Sequence, residues 1–138
     1  RDVQVLDLLI ERRPPFNPDE VTQEFSQVLR QYGITTVSGD KYAGEWPASR
    51  FQAHGITYKV SEWTKNEIYT NLLPLLTGKR CELLDNKRLI SQLCNLERRT
   101  ARSGKDSIDH TPGGHDDVCN AAAGALVTLG TRKMAGVW

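Results

Sequence analysis

The sequence predicts a single α/β domain with parallel strand pairs and helices packed on the sheet faces. Short β-rich runs alternate with helical patterns of about ten to fifteen residues, the signature of strand–helix–strand units. A chain of 138 residues is long enough for one core and short for two. There are no internal repeats, low-complexity tracts or linker-like stretches to divide it.

Taken in order, residues 3–11 ("VQVLDLLIE") are apolar and β-rich, and Pro14, Pro15 and Pro18 stop any ladder after them because proline donates no backbone hydrogen bond. Asn17 is a helix cap with Pro18 at the first helical position. Val21, Phe25, Val28 and Leu29 then recur at helical spacing until Gly33, which predicts a helix over about 18–32. "ITTVSGD" reads as a buried strand ending at Asp40, with Gly39 permitting close approach just before the acid. Residues 41–55 read as irregular or briefly helical, and 56–60 ("ITYKV") as a third strand. Thr64 and Glu67 form a capping box, and Ile68, Leu72, Leu75 and Leu76 give an apolar face up to Gly78, with Pro74 expected to kink or shorten the helix. "CELLD" (81–85) reads as a fourth strand. "NKRLISQLCNLERR" (86–99) reads as one helix with Leu89, Leu93 and Leu96 inward. "TARSGK" reads as a loop, 106–110 as a short extended piece, and 115–129 as the last helix.

A formal charge of +1 with 25% charged residues describes an ordinary globular surface, so bulk charge selects no partner. The three cysteines, Cys81, Cys94 and Cys119, are odd in number and form no CxxC pair, which argues against a disulfide framework or zinc ribbon and for a reducing, cytoplasmic setting. No apolar run approaches the ~20 residues that span a bilayer, so a soluble protein is expected, with no membrane partner. The chain opens directly in a strand-like pattern without an initiator methionine, as a fragment of something longer would.

Sites in open α/β sheets collect at the carboxyl ends of strands, where Asp40, Asp85 and the Asp109–His110 pair fall. Each of these, taken singly, also reads as a turn or cap aspartate. The last helix is more specific. Val118, Ala121, Ala122, Ala125, Leu126 and Leu129 follow helical spacing, and their small size, with Gly124, allows a close approach to the sheet. Capping needs one acid at its N-terminus, yet His115, Asp116 and Asp117 stand there after a flexible "TPGG". Carboxylates gathered from distant segments repel unless a cation neutralises them, and hard ions such as Mg²⁺ take one or two carboxylates plus substrate phosphates. Asp40 with Asp117 suits that arrangement. Arg98, Arg99, Arg102 and Lys105 form a basic tract opposed only by Glu97, readable as phosphate contacts or as a solvated helix end. Tyr42, Trp46 and Trp63 are candidates for base stacking, though aromatics in a chain this small usually belong to the core. A zinc site from His110 and His115 with Asp109 and Asp116 has poor spacing, since Pro-Gly-Gly prevents a helix there. No GxSxG, Walker A or GxGxxG pattern is present.

The segments "GDKYAGEWPASRFQAHGITY", "LLDNKRLISQLCNLERR" and "RSGKDSIDHTPGGHDDVCNAAAGAL", in this order, resemble the C-terminal nuclease domain of phage and prophage terminase large subunits, from about Val3 to Leu129. The resemblance implies an RNase H-like mixed sheet flanked by helices, lacking its first strand here, as a single domain (residues 1–138) of a larger ATPase–nuclease. It implies an endonuclease that cleaves concatemeric double-stranded DNA during genome packaging by two-metal hydrolysis with Mg²⁺ or Mn²⁺, in the bacterial host cytoplasm, alongside the small terminase subunit and the portal. Its second metal-binding acid matches Asp40. Its third matches the His-Asp-Asp segment, with Asp117 the principal ligand, Asp116 a second contributor, and His115 orienting a carboxylate or water. No residue of the chain matches the first acid, so the fragment's own competence depends on a strand upstream of Arg1. A resolvase- or transposase-type nuclease, or a non-catalytic interaction domain on the same fold, are the alternatives.

Overall fold

The computed structural model describes residues 3–39, 46–129 and 135–137, which form five helices and three small sheets. Strand β1 (Gln4–Val5) pairs in parallel with β4 (Cys81–Glu82). It is shorter than the 3–11 run predicts because its partner is itself two residues long. Gln4 N–H donates to Arg80 O and Leu6 N–H to Glu82 O at its two ends, each at 2.9 Å. A β-rich composition makes a strand only where a neighbour offers a ladder, and the same limit truncates the expected 81–85 strand.

Helix α1 (Pro18–Gln31) begins where proline and asparagine predict it. The Asn17 side chain accepts from Asp19 N at 2.9 Å, and Gly33 leaves the helix at φ +68. Its most buried positions are Thr22 and Ser26, flanked by the half-buried Phe25 and Leu29. Strand β2 (Thr36–Gly39) is central to the second sheet, parallel to β3 (Thr57–Val60) on one side and to β7 (Ala135–Val137) on the other. Val37, Phe51 and Ile56 form a small core between this sheet, α1 and α2 (Trp46–Ala53), the last being the brief helix expected in this segment. The strand register sets Gly39 opposite Val60 and on the same face as Tyr58. A Cβ at Gly39 would run into the outer end of the Tyr58 ring, so glycine here makes room for a neighbouring side chain and not for a backbone. Asp40 and Tyr42 lie outside the described residues, as does the side chain of Trp46.

Helix α3 (Lys65–Thr77) carries the predicted capping box, with Thr64 Oγ1 and Glu67 N at 3.2 Å and the reciprocal Thr64 N and Glu67 Oε1 at 3.2 Å. It continues through Pro74 to Thr77, so the proline does not end it. Helix α4 (Lys87–Cys94) is capped by Asn86 and stops at Asn95, well short of the expected Arg99. Leu96–Thr100 instead forms β5, antiparallel to β6 (Asp106–His110), closed by a turn at Gly104. The segment "LERR" favours helix locally. In β5, however, Leu96 and Ile108 fall on one face and pack together on the main core, and that packing outweighs the local preference.

The main core lies where α3, α4 and α5 (Asp117–Thr128) meet, around Ile68, Leu72, Leu89, Cys119, Ala123 and Leu126, each no more than 3% exposed. The small residues of α5 bring it close to the sheet at β7, as expected, and also let α3 and α4 close on it. Trp63 packs against this core, in keeping with a structural role.

Candidate metal and nucleic-acid site at the start of α5

The link from β6 to α5 turns at Thr111–Gly114, where Thr111 O accepts from Gly114 N at 2.8 Å and Gly113 takes φ +78. This delivers Asp116 to the N-cap position, yet its side chain makes no capping hydrogen bond. The amide of Cys119, left without an intrahelical partner at a helix start, donates at 2.9 Å to Oε1 of Gln92, a residue of α4 only 5% exposed. α5 is capped from outside.

Freed from capping, Asp116 turns toward α3. Its Oδ2 accepts from the Tyr69 hydroxyl at 2.8 Å and meets Lys65 Nζ at 3.2 Å, and the same ammonium reaches Asp109 Oδ1 on β6 at 3.5 Å. Lys65 thus ties α3, the β6 strand and α5 together. Burial alone would lower its pKa, but Asp116 and Asp109 together raise it above the ordinary value. Burial would likewise raise Asp109, yet the His110 amide and Lys65 hold its carboxyl below the usual value. Burial, with Cys119 and Asp116 beside it, drives the Tyr69 hydroxyl well above its ordinary value, so it acts only as a donor. Cys119, buried and 3.3 Å from that hydroxyl, is pushed up to about 11 and stays an unreactive thiol.

Asp117 faces the other way, toward α4 and solvent. Its side chain is 57% exposed, against 10% for that of Asp116. Its Oδ1 accepts from Gln92 Nε2 at 3.1 Å and lies 3.7 Å from Arg88, whose Nε is paired with Glu11 Oε2 at 2.8 Å. Asp117 also borders a cleft of about 250 Å³ lined by Glu11, Arg12, Phe16, Phe25 and Phe51. His115 is exposed next to it. Three residues on, one helical turn along α5, Asn120 Oδ1 is a buried oxygen with no hydrogen-bond partner among the described residues. A carboxylate and an amide oxygen are both donors of the kind a hard cation takes. Among the described residues no group of three or more His, Cys, Asp or Glu side chains gathers to hold a metal, which leaves any completed site dependent on residues outside them. The zinc alternative gains nothing, since His110 Nδ1 lies 2.9 Å from Thr111 O.

Arg98 and Arg99 lie on strand β5 of a hairpin, and Arg102 and Lys105 lie in the loop that closes it. Arg98 and Arg99, adjacent on β5, point to opposite faces. All four are exposed; Arg99 also bonds Glu97 and the His110 carbonyl, the latter at 2.9 Å, which makes Arg98, Arg102 and Lys105 the readier contacts for an external anion. The supporting residues Lys65, Tyr69, Arg88, Gln92 and Glu11 were not foreseen. Gln92 had a legible signal, a polar side chain within the inward stripe of Leu89 and Leu93.

No protein-family model matches the sequence, and no curated protein matches it. Solved structures do. The large terminase nuclease from thermophilic phage G20c with bound cobalt is similar at a TM-score of 0.70 and 23% identity, over 86% of this chain and 65% of that one. The same nuclease with bound magnesium gives 0.68 and 22%, over 82% and 62%. The Thermus phage P74-26 large terminase nuclease domain gives 0.69 and 20%, over 93% and 68%. The chain has the fold of large terminase nuclease domains and spans about two thirds of the length of these relatives. Among the described residues no helix is long and apolar enough to cross a membrane.

Proposed function

We propose that the chain is the metal-dependent endonuclease domain of a terminase large subunit, cutting double-stranded DNA as genomes are packaged in the bacterial cytoplasm. The observation that carries this reading is Asp117, an exposed carboxylate held at a helix N-terminus on a terminase nuclease fold. Asp117 and Asp40 are the proposed metal ligands, and Asn120 is a further oxygen on the same turn of α5. Mg²⁺ or Mn²⁺, when bound, supplies Lewis-acid polarisation of the phosphodiester and neutralises the charge that builds on it.

The remaining work belongs to the protein's own side chains. Arg88 keeps positive charge beside Asp117 and relieves repulsion between that carboxylate and a phosphate. Asp116, paired with Lys65, adds no uncompensated charge to the DNA-facing side and serves as a positioning residue instead of exposing a second free carboxylate. His115, exposed beside Asp117, is placed to hold a water or a carboxylate. Arg98, Arg102 and Lys105 contact phosphates, which positions DNA without reading its sequence. Arg99, turned to the opposite face, supports the hairpin. The small terminase subunit and portal are the proposed assembly partners.

In the full-length natural chain, Asp117→Asn and Asp40→Asn are each expected to abolish Mn²⁺-dependent plasmid cleavage. Undiminished cutting by both sinks the assignment.

A further inference from the structure

Gln92 makes two contacts with different consequences. A backbone amide can only donate, so the atom facing Cys119 N at 2.9 Å must be the carboxamide oxygen. That fixes the other end of the group as Nε2, and Nε2 lies 3.1 Å from Asp117 Oδ1. The helix start therefore dictates which way the amide points, and the amide in turn dictates how the carboxylate is held. Both ends are needed for this, and glutamine supplies them. A glutamate would accept from Cys119 but repel Asp117, and an apolar side chain of similar length would do neither.

The site around the amide makes this restraint firm. Gln92 is only 5% exposed, so its rotamers are limited by packing. Arg88, one helical turn earlier on α4, approaches the same Oδ1 at 3.7 Å and is anchored by Glu11 at 2.8 Å. Among the described residues both contacts on the Asp117 carboxylate fall on Oδ1, which leaves Oδ2 for a ligand. Helix capping explains the bond to Cys119. It does not explain the second bond, which reaches back from the buried face to an exposed acid.

We infer that Gln92 is a positioning residue for Asp117: its carboxamide caps α5 with the oxygen and orients the Asp117 carboxylate for a divalent cation with the nitrogen. This rests on the reading of Asp117 as a metal ligand. An outer partner of a ligand acts by restricting the ligand's orientation, and its loss typically weakens metal binding about 10- to 100-fold.

The test is made in the full-length natural chain, with Mn²⁺ affinity measured by calorimetric titration beside the thermal midpoint. Gln92→Met is expected to lower the midpoint and to weaken Mn²⁺ binding about 10-fold. In an Asp117→Asn background the same substitution is expected to lower the midpoint equally but to weaken Mn²⁺ no further, because its effect on the metal passes through Asp117. A lower midpoint with Mn²⁺ affinity unchanged would mean that Gln92 is only a cap, and would overturn the inference while leaving Asp117 as a ligand. If Asp117→Asn alone leaves Mn²⁺ binding unchanged, the ligand reading falls and the inference with it. Should Gln92→Met not fold, the unsubstituted chain decides: the side-chain amide resonances of Gln92 are expected to shift in NMR spectra on Mg²⁺ titration, and resonances that stay fixed to saturation overturn the inference.

Discussion

On the α3 side of the first turn of α5, Asp116 has a side chain 10% exposed, bonded to Tyr69 and paired with Lys65. On the α4 side, Asp117, the next residue, is 57% exposed and among the described residues is bonded at one oxygen, by Gln92 and Arg88. The same chemical group does two jobs a residue apart. Where an acid is enclosed, a cation and a hydroxyl are built around it, because a buried charge without partners is costly. Where the acid is left in water, the protein restrains its direction and leaves its charge available to a ligand.

The comparison is broken most directly at Asp117. Asp117→Asn is expected to reduce Mn²⁺-dependent cleavage more than about 100-fold, beyond what an outer-shell change produces, and to shift the unfolding midpoint by no more than a surface substitution does, within about 0.5 kcal/mol. A protein that loses stability in proportion to activity would erase the distinction between the two sides. Tyr69→Phe probes the enclosed side. It removes the hydroxyl donor and leaves Lys65 as the partner of that Asp116 oxygen, and is expected to cost about 1.5 to 3 kcal/mol in urea unfolding, the range for a hydrogen bond to a charged group.

Replacing Arg98, Arg102 and Lys105 together by Gln is expected to leave unfolding within about 0.5 kcal/mol, because these side chains are exposed. Plotted against log salt, the log of DNA affinity is expected to have its slope lowered by about 0.9 for each phosphate no longer neutralised. An unchanged slope would remove the hairpin from the DNA path.

The smallest effect is expected at Lys65, which is 39% exposed. Lys65→Met is expected to cost less than about 1 kcal/mol near neutral pH, as solvent screens a pair this open. Its pH signature sharpens the comparison. The Lys65 pKa is raised, so its contribution is complete below the ordinary 10.5 and is lost as pH rises through the folded value. The Asp109 pKa is lowered, so its contribution is present above the ordinary 3.8 and is lost as pH falls through the folded value. The stability difference between wild type and Lys65→Met is therefore expected to be largest between these limits and to shrink beyond either, as followed by urea midpoints across pH. A constant difference would mean that Lys65 acts by packing alone.

The features legible in the sequence are those written in neighbouring residues. Asn17 with Pro18, the Thr64–Glu67 box, the Asn86–Cys94 helix start and the acidic opening of α5 are local signals, and each forms where expected. Strands β1 to β4 and β6 were legible in position, whereas β5 and β7 were not. Strand lengths depend on partners, which is why β1 and β4 are two residues each and why β5 took residues expected to extend α4.

From the sequence alone, this protein's alternation of helices with strands and the placing of two acids at one helix start were already determined. Only the tertiary structure decided which acid is enclosed and which is offered outward. Consecutive helical residues point about 100° apart, so Asp116 and Asp117 must face different neighbours. Those neighbours, Lys65 and Gln92, are 51 and 25 residues away along the chain and reach the acids only when α3 and α4 close on α5.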